Sequence, residues 1–208
     1  MSEREAFMRA ICENPDDDTP RLVFADWLQE HDEEERAEFI RVSIEVARLS
    51  TDDDRLDGLI LRECELQERY GKQWLAELPV PSPEHIDWVK GPGGWLEGEP
   101  FDRGFAGRLW VKTAGALVKH ADKLFATSPV QRLMVHHIMK ADKLARLPQL
   151  RHLHTFRARI VSRQAADELL ECPHLDPVPD VRLSLTALPA EQVDRLRKHF
   201  GDRLRDQP

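Results

Sequence analysis

Apolar residues recur at intervals of three and four along the first 78 positions, and this spacing predicts a helical N-terminal part. A first helix is predicted to begin after Ser2, whose hydroxyl can cap it. It should end at Asn14, because a residue that precedes proline avoids the helical conformation. Thr19 and Pro20 then predict the start of a second helix, as its N-cap and its first residue.

The second helix, from Pro20 to about Glu30, is apolar on nearly every side and is therefore predicted to be the central helix of this half. Asp26 interrupts the apolar strip, and a carboxylate there must be exposed or paired. Arg36 and Arg41 on the next helix are its expected partners. A structural ion pair explains Asp26 better than catalysis, since no second acid or histidine accompanies it at a suitable spacing.

Two more helices are predicted, one from about Glu33 to Leu49 and one that starts after Asp52 and stops at Gly71. The aspartates at 16–18 precede the second helix, where the positive end of its dipole favours negative charge. This local role explains them without a metal, because a calcium loop needs oxygen ligands at alternating positions and a closing glutamate.

The sequences NPDDDTPRLVFADWLQE at 14–30 and RAEFIRV at 36–42 resemble the bacterial repeat-companion domain, a small helical module. FDRGF at 101–105 and HADKLFATSPVQRL at 120–133 fit the same family layout, so the resemblance covers most of the chain. Members of this family typically place the module before degenerate leucine-rich-type repeats. The resemblance implies that architecture and brings no enzymatic activity with it.

Residues 79–104 are rich in proline and glycine, which predicts irregular chain. Trp88, Trp95 and Phe101 interrupt this segment, so it is interpreted as a packed linker. Its GPGG sequence at 91–94 is interpreted as a turn, because the Lys-Ser/Thr pair of a phosphate-binding loop does not follow.

A spaced apolar pattern recurs four times beyond residue 104, with anchors at Leu109, Leu133, Leu153 and Val181. Each predicted strand is followed by a predicted helix, at 113–126, about 139–146, 162–171 and 189–200. A strand-plus-helix unit of this length is typical of leucine-rich repeats. We therefore predict an α/β fold, in which an N-terminal helical bundle packs on a short leucine-rich-repeat-like solenoid with a small parallel sheet.

The predicted domains are a helical module at 1–78, the packed linker at 79–104 and a β–α lobe at 105–208. Side chains alternate between the two faces of a strand, so one face of the lobe should be open. The open face carries basic and aromatic side chains and a methionine, which are typical of protein-binding surfaces. Five of its residues are predicted to contact a partner: Arg108, Trp110, Arg132, Met134 and His154. In the alternative interpretation, the N-terminal helices or the segment at 79–104 cover this face and make it interior.

Charge is divided unevenly along the chain, with a net −15 in residues 1–100 and +7 in residues 101–208. The basic half leaves nucleic-acid binding open as an alternative, although it has no aromatic RNA-recognition motif and no zinc-finger pattern. A second alternative is a metal-dependent hydrolase, because four histidines could converge on adjacent strands: His136, His137, His152 and His154.

No GxSxG, HExxH, Walker or dinucleotide-binding motif occurs, and no cofactor is predicted. Cys12, Cys64 and Cys172 show no paired spacing and are interpreted as small buried apolar residues in a reduced cytoplasm. The chain has no signal-like N-terminus and no apolar run long enough to span a bilayer. Together, these features favour a non-enzymatic, cytoplasmic module that binds a partner protein or acts as a scaffold.

Overall fold

The structure is a computed structural model that describes residues 2–78, 86–87 and 100–206. Seven α-helices occur in these ranges: α1 (Glu3–Glu13), α2 (Thr19–Gln29), α3 (Glu34–Arg48), α4 (Leu56–Ala76), α5 (Ala114–Thr127), α6 (Arg163–Leu170) and α7 (Ala190–Phe200). The same ranges contain eight strands: β1 (Ile86–Asp87), β2 (Phe101–Asp102), β3 (Phe105–Ala106), β4 (Arg108–Thr113), β5 (Arg132–Ile138), β6 (Thr155–Ile160), β7 (Asp180–Ser184) and β8 (Leu204–Asp206).

The chain divides into two compact units. The first, called the helical unit here, contains 2–78 together with 100–107 and 126–129. The second, the sheet unit, contains 86–87, 108–125 and 130–206. The helical unit therefore includes two short segments that the sequence had placed in the linker and in the lobe.

The ends of the helices follow from local hydrogen bonding. Ser2 forms the predicted cap of α1, because its Oγ accepts from the backbone N–H of Glu5 at 3.2 Å and its own N–H donates to the Glu5 carboxylate at 2.8 Å. The N-cap of α2 is Asp18 and not the predicted Thr19, which is the first helical residue. The backbone N–H of Thr19 donates to the Asp17 carboxylate at 2.8 Å.

Gly71 does not end α4, so that prediction was wrong. The helix continues to Ala76, and Gly71 is buried within it. A Cβ atom at this position would lie 3.4 Å from the Phe101 ring. The tighter contact of such an atom would be with Cγ of Gln67 on the same helix, at 3.2 Å, so Gly71 is an internal residue of α4 and is not a capping residue.

Two apolar clusters form the core of the helical unit. The larger one joins α1, α2, α3 and the hairpin through Ile11, Phe24, Ala25, Leu28, Ala37, Ile40, Ile44 and Phe105. The smaller one contains Phe39, Leu66, Trp74 and Phe101. Asp26 is exposed and accepts a hydrogen bond from Arg41 at 2.7 Å, which confirms one of its two predicted partners.

The FDRGF sequence forms a two-residue β-hairpin in which Asp102 pairs with Phe105. Arg103 and Gly104 occupy the turn with φ values of 45° and 82°, as this hairpin type requires. The Arg103 side chain donates to the carbonyl oxygen of Pro15 at 2.8 Å and to Asp18 at 3.1 Å. The aspartate-rich segment before α2 is thus a hydrogen-bonding partner of the hairpin within one unit.

The sheet unit contains a six-stranded sheet in the order β1-β4-β5-β6-β7-β8, in which every pair is parallel except β1 with β4. Its register aligns five buried or half-buried apolar residues across the parallel strands: Leu109, Leu133, Phe156, Val181 and Leu204. Successive members of this row are 24, 23, 25 and 23 residues apart. The fold is therefore mixed α/β with a mostly parallel sheet.

Two details of the predicted repeats were wrong. Leu150 lies in a 3₁₀ helix (Pro148–His152) and Leu153 follows it, so the third strand begins at Thr155 with Phe156 as its anchor. The α-helix expected at 139–146 is only a 3₁₀ turn, Leu144–Arg146. Pro148 lacks a backbone N–H, which favours these short turns over a longer helix.

Candidate functional site

One face of the six-stranded sheet is rich in cations. We define the strand face as the side chains that alternate with the buried apolar row: Asp87, Arg108, Trp110, Lys112, Arg132, Met134, His136, Thr155, Arg157, Arg159, Asp180, Arg182, Ser184 and Arg205. Parallel pairing places Trp110, Met134, Arg157, Arg182 and Arg205 in one row across the sheet.

The two apolar members of this face are buried. Trp110 is 5% exposed and Met134 is 7% exposed. The centre of the strand face therefore matches the alternative in which the face is interior. The indole Nε1 of Trp110 is also buried and has no hydrogen-bond partner in the part of the chain that the structure describes.

The other three predicted contact residues are each half-buried, and they differ in position. Arg108 and Arg132 are adjacent on β4 and β5, at the ends where these strands begin. His154 precedes β6 and is not part of a strand, since the register of this repeat differs from the predicted one. Its Nε2 lies 3.2 Å from Nε2 of Gln131, and its backbone N–H donates to the Gln131 carbonyl oxygen at 2.7 Å.

Positive charge exceeds negative charge on the strand face. Seven arginine and lysine side chains lie there with two aspartates. Asp180 is the acceptor for Arg182 at 2.8 Å and forms an ion pair with Arg205 at 3.5 Å. Lys112 and Arg159, at the ends where their strands finish, are exposed.

The pKa of His136 is affected by the cations around it. Burial lowers the pKa of its imidazole below the ordinary value of 6.5, and the nearby charges of His137, Arg159 and Lys112 lower it further. All three neighbours act in the same direction because each disfavours a protonated ring. The cations at this end of the strand face thus oppose protonation of His136.

A depression of about 740 Å³ adjoins the carboxyl ends of β4 and β5. We call it the basic basin; it is lined by Lys119 on α5, by Lys140 and Lys143 on the loop after β5, and by His137, Met139 and Asp142 among others. The three lysines have no hydrogen bond or ion pair with any residue in 2–78, 86–87 or 100–206. The carboxyl ends of parallel strands are a common place for ligands to bind.

The loop at 139–143 that carries two of these lysines is held in place from α6. The Glu168 carboxylate accepts the backbone N–H groups of Ala141 and Asp142, the second at 3.0 Å. Ser162 donates its hydroxyl to the carbonyl oxygen of Met139 at 2.6 Å. Met139 itself is 66% exposed, so the loop presents an apolar side chain between cations.

Sequence reasoning missed the basic basin because it assigned residues 139–146 to a helix. The available signal was the MKADK sequence directly after an apolar strand. It also missed Arg157 and Arg159, because the wrong register of this one strand exchanged the two faces of β6 and placed Phe156 on the open face. Phe156 is fully buried.

The histidines do not form a metal-binding cluster in the described residues. His136 and His137 have ring centroids 4.1 Å apart, while His152 accepts from Nε of Arg151 at 3.3 Å. Within 2–78, 86–87 and 100–206, no group of three or more histidine, cysteine, aspartate or glutamate side chains is placed to hold a metal ion.

The cysteines differ in their surroundings. Cys172 is buried, Cys12 is half-buried and Cys64 is exposed, so the interpretation of all three as buried was wrong for Cys64. Burial raises the pKa of the Cys12 thiol to about 12. No helix in the described ranges has both the length and the apolar character needed to cross a bilayer.

Comparison of the chain with protein-family models, with curated proteins and with solved structures finds no match. The resemblance to the repeat-companion domain therefore stays a prediction that rests on the sequence motifs alone.

Proposed function

We propose that this chain is a non-enzymatic, cytoplasmic module that binds an acidic segment of a partner protein. The segment would lie along the exposed cations of the strand face and reach the basic basin. The excess of positive charge supports this proposal, above all the three basin lysines, which have no counter-ion among the described residues. Lysines without a counter-ion attract carboxylates and speed their association.

The types of side chain favour binding over catalysis. Lysine and arginine keep their protons at neutral pH, so they bind anions but are poorly suited to general acid–base chemistry unless their pKa values are strongly lowered. The pKa of His136 is lowered, yet its neighbours on the strand face are cations and no carboxylate orients it in the part of the chain that the structure describes. Protein recognition is therefore the better-supported role for this face.

An acidic protein is favoured over a nucleic acid because the aromatic component is missing from the exposed part of the strand face. Proteins that bind single strands stack bases on exposed aromatic rings. Trp110 is the one tryptophan, tyrosine or phenylalanine on the strand face as the structure describes it, and it is only 5% exposed. The proposed contacts are consequently the cations, with Arg108 and Arg132 retained from the sequence prediction and Lys112 and Arg159 added.

The regular spacing of the parallel strands supports a more specific architectural proposal. Intervals of 24, 23, 25 and 23 residues fall within the range of leucine-rich repeats. We infer that the sheet unit is a short, degenerate solenoid of this type, and that the whole chain is a bacterial repeat-companion protein. Solenoids of this type commonly bind partners through the face that the strands form.

The test is a charge reversal at two exposed positions of the strand face, Lys112→Glu with Arg159→Glu. A fluorescent polyglutamate peptide serves as the acidic probe, and its binding to the full chain is followed by fluorescence anisotropy. Each reversed contact should cost about 1 kcal/mol, so we expect about tenfold to thirtyfold weaker binding. A matched control, Arg163→Glu with Lys198→Glu, changes the net charge equally on the exposed surfaces of α6 and α7.

Equal losses in the two double variants would mean that only net charge matters, and the proposal would then be wrong. A single-stranded RNA homopolymer is measured in parallel at low and at physiological salt. Tighter binding of RNA than of polyglutamate at physiological salt would favour the nucleic-acid alternative instead.

A further inference from the structure

Arg36 on α3 places its guanidinium group among four aromatic rings of the helical unit. Its Cζ atom lies 4.5 Å from the ring centroid of Trp74 and 5.4 Å from that of Phe105. Phe39 and Phe101 contribute the other two rings, at 5.7 and 5.8 Å. These cation–π contacts stabilise the positive charge but supply no hydrogen-bond acceptor in the plane of the group.

The hydrogen-bonding capacity of Arg36 is unused. Its Nη1 atom is completely buried without a hydrogen-bond partner, and no hydrogen bond or ion pair of this residue occurs among the described residues. Arg21, which is buried as a whole while Arg36 is half-buried, differs because its Nη1 donates to the carbonyl oxygen of Asp17 at 2.9 Å. A buried charge without hydrogen bonds is costly, so such a group usually has a partner.

A cavity of about 190 Å³ adjoins this guanidinium group, and we call it the arginine pocket. Its apolar wall includes Met8, Phe24, Trp74, Leu78, Phe101 and Phe105. Arg4 also lines the cavity, but Glu33 already accepts two hydrogen bonds from it, at 2.6 and 3.1 Å. Arg36 is therefore the cation that remains available to a ligand there.

The size of the arginine pocket limits its occupant. The volume of the pocket is about 190 Å³. It lies below the range of about 300 to 1,000 Å³ that is typical for drug-sized ligands. The pocket therefore suits a group about as large as one amino-acid side chain.

The charges on the wall select the type of anion. Glu77 lines the pocket, and its electrostatic effect on Arg36 is attractive, although the two form no ion pair in the structure. A doubly charged phosphate would meet one available guanidinium group and one carboxylate, which is an unfavourable balance. A single carboxylate matches the planar fork of one arginine, and its apolar part matches the aromatic wall.

We propose that the arginine pocket binds a carboxylate attached to a small apolar group, with the carboxylate on Arg36 and the apolar group against the aromatic wall. This site lies in the helical unit and does not depend on the function proposed for the strand face. The same chemistry is present in a free carboxylic acid and in the last residue of a peptide chain, and the experiment distinguishes these two sources.

The experiment titrates the full chain with sodium benzoate and, as a neutral match, with benzamide. Binding is followed by the NMR shifts of the tryptophan indole N–H groups, since Trp74 lines the pocket. We expect saturable shifts with benzoate and at least about tenfold weaker binding of benzamide, because charge-assisted hydrogen bonds are lost. Equal affinity for the two probes would overturn the proposal.

Variants of Arg36 test its role directly. Arg36→Met should weaken benzoate binding at least about tenfold, whereas Arg41→Met should leave it unchanged. Arg41 is a suitable control because it lies on the same helix and its partner Asp26 is exposed. Benzoate affinity that survives in Arg36→Met would show that the ligand binds elsewhere.

Glu77→Gln provides a second test that leaves the Arg36 guanidinium group in place. Loss of a nearby negative charge should tighten benzoate binding about threefold. Unchanged or weaker binding would contradict the assigned position of the carboxylate, even if the Arg36 variants did not fold.

Two short peptides that end in phenylalanine, one with a free and one with an amidated C-terminus, distinguish the sources. Tighter binding of the free-carboxylate peptide than of benzoate would identify a chain terminus as the ligand. Binding of benzoate alone would identify a small acid. Failure of benzoate and both peptides to bind would reject the site.

Discussion

The turn of the FDRGF hairpin provides the sharpest test of the helical unit, because Gly104 lies against the backbone of α3. We consider Gly104→Ala. A Cβ atom at this position would lie 2.6 Å from Cα and 2.8 Å from Cγ1 of Ile40, and the backbone φ of 82° is unfavourable for alanine. The nearest atom belongs to the backbone of a helix, so it cannot move as a side chain would.

Two contributions determine the magnitude. The left-handed conformation costs an alanine about 1 to 2 kcal/mol. Overpacking of a rigid site adds about 1 to 3 kcal/mol, so the free energy of unfolding should fall by about 2 to 5 kcal/mol. The assay is urea denaturation followed by circular dichroism and tryptophan fluorescence, which gives the midpoint and the slope of the transition.

Two glycine controls separate these contributions. Gly201 has a positive φ of 57°, but a Cβ atom added there would meet nothing within 4 Å, so Gly201→Ala should show conformational strain without overpacking. Gly58 lies in α4 with open space around it, and Gly58→Ala should stabilise the protein by about 0.5 to 1 kcal/mol. If Gly104→Ala cost no more than the conformational contribution of about 2 kcal/mol, the close approach of the hairpin to Ile40 would be refuted.

Two further predictions concern the sheet unit. Glu168→Gln should raise the hydrogen-exchange rates of the Ala141 and Asp142 amides about tenfold, because charge-assisted hydrogen bonds become neutral ones. The control is Glu171→Gln, which changes an exposed side chain. Unchanged exchange rates in Glu168→Gln would contradict the role of Glu168 in holding the loop. The pKa of His136 is lower in the folded chain than in the unfolded chain, so its stabilising contribution is present above pH 6.5 and is lost as pH falls through the folded value. His136→Asn should therefore flatten the dependence of unfolding free energy on pH between about 7 and 5, and an unaltered slope in urea denaturation would count against this assignment.

The helices of the first half were predictable because each signal is local. The hydroxyl of Ser2 caps the helix that it precedes, and Asp26 pairs with Arg41 as expected from its position in an apolar strip. Gly71 misled the prediction because a glycine that ends a helix and a glycine inside a helix look alike in sequence. The helix continues past Gly71 to Ala76, where the aromatic ring of Trp74 packs in the core of the helical unit.

The strands were predictable as a set, while the register of one of them was not. Leu150 and Leu153 have the spacing of a strand anchor, yet both are buried around a 3₁₀ turn that starts at Pro148. Phe156 satisfies the repeat better, since it gives nearly equal intervals to the strands on either side. A requirement for equal intervals would have selected Phe156 and would also have predicted β8 near Leu204.

That register decides which charges share a surface, and this is why the candidate site differs from its prediction. A shift by an odd number of residues exchanges the two faces of a strand, so the shift of the anchor from Leu153 to Phe156 moved Arg157 and Arg159 onto the strand face and Phe156 into the core. Trp110 and Met134 kept their predicted face, but they are buried, which alternation along a strand cannot reveal. Because those two side chains are not at the surface, the recognition proposed for this face would depend on long-range attraction to its cations. Binding should then weaken steeply with added salt, unlike binding in the aromatic-lined arginine pocket, where the guanidinium group is shielded from solvent.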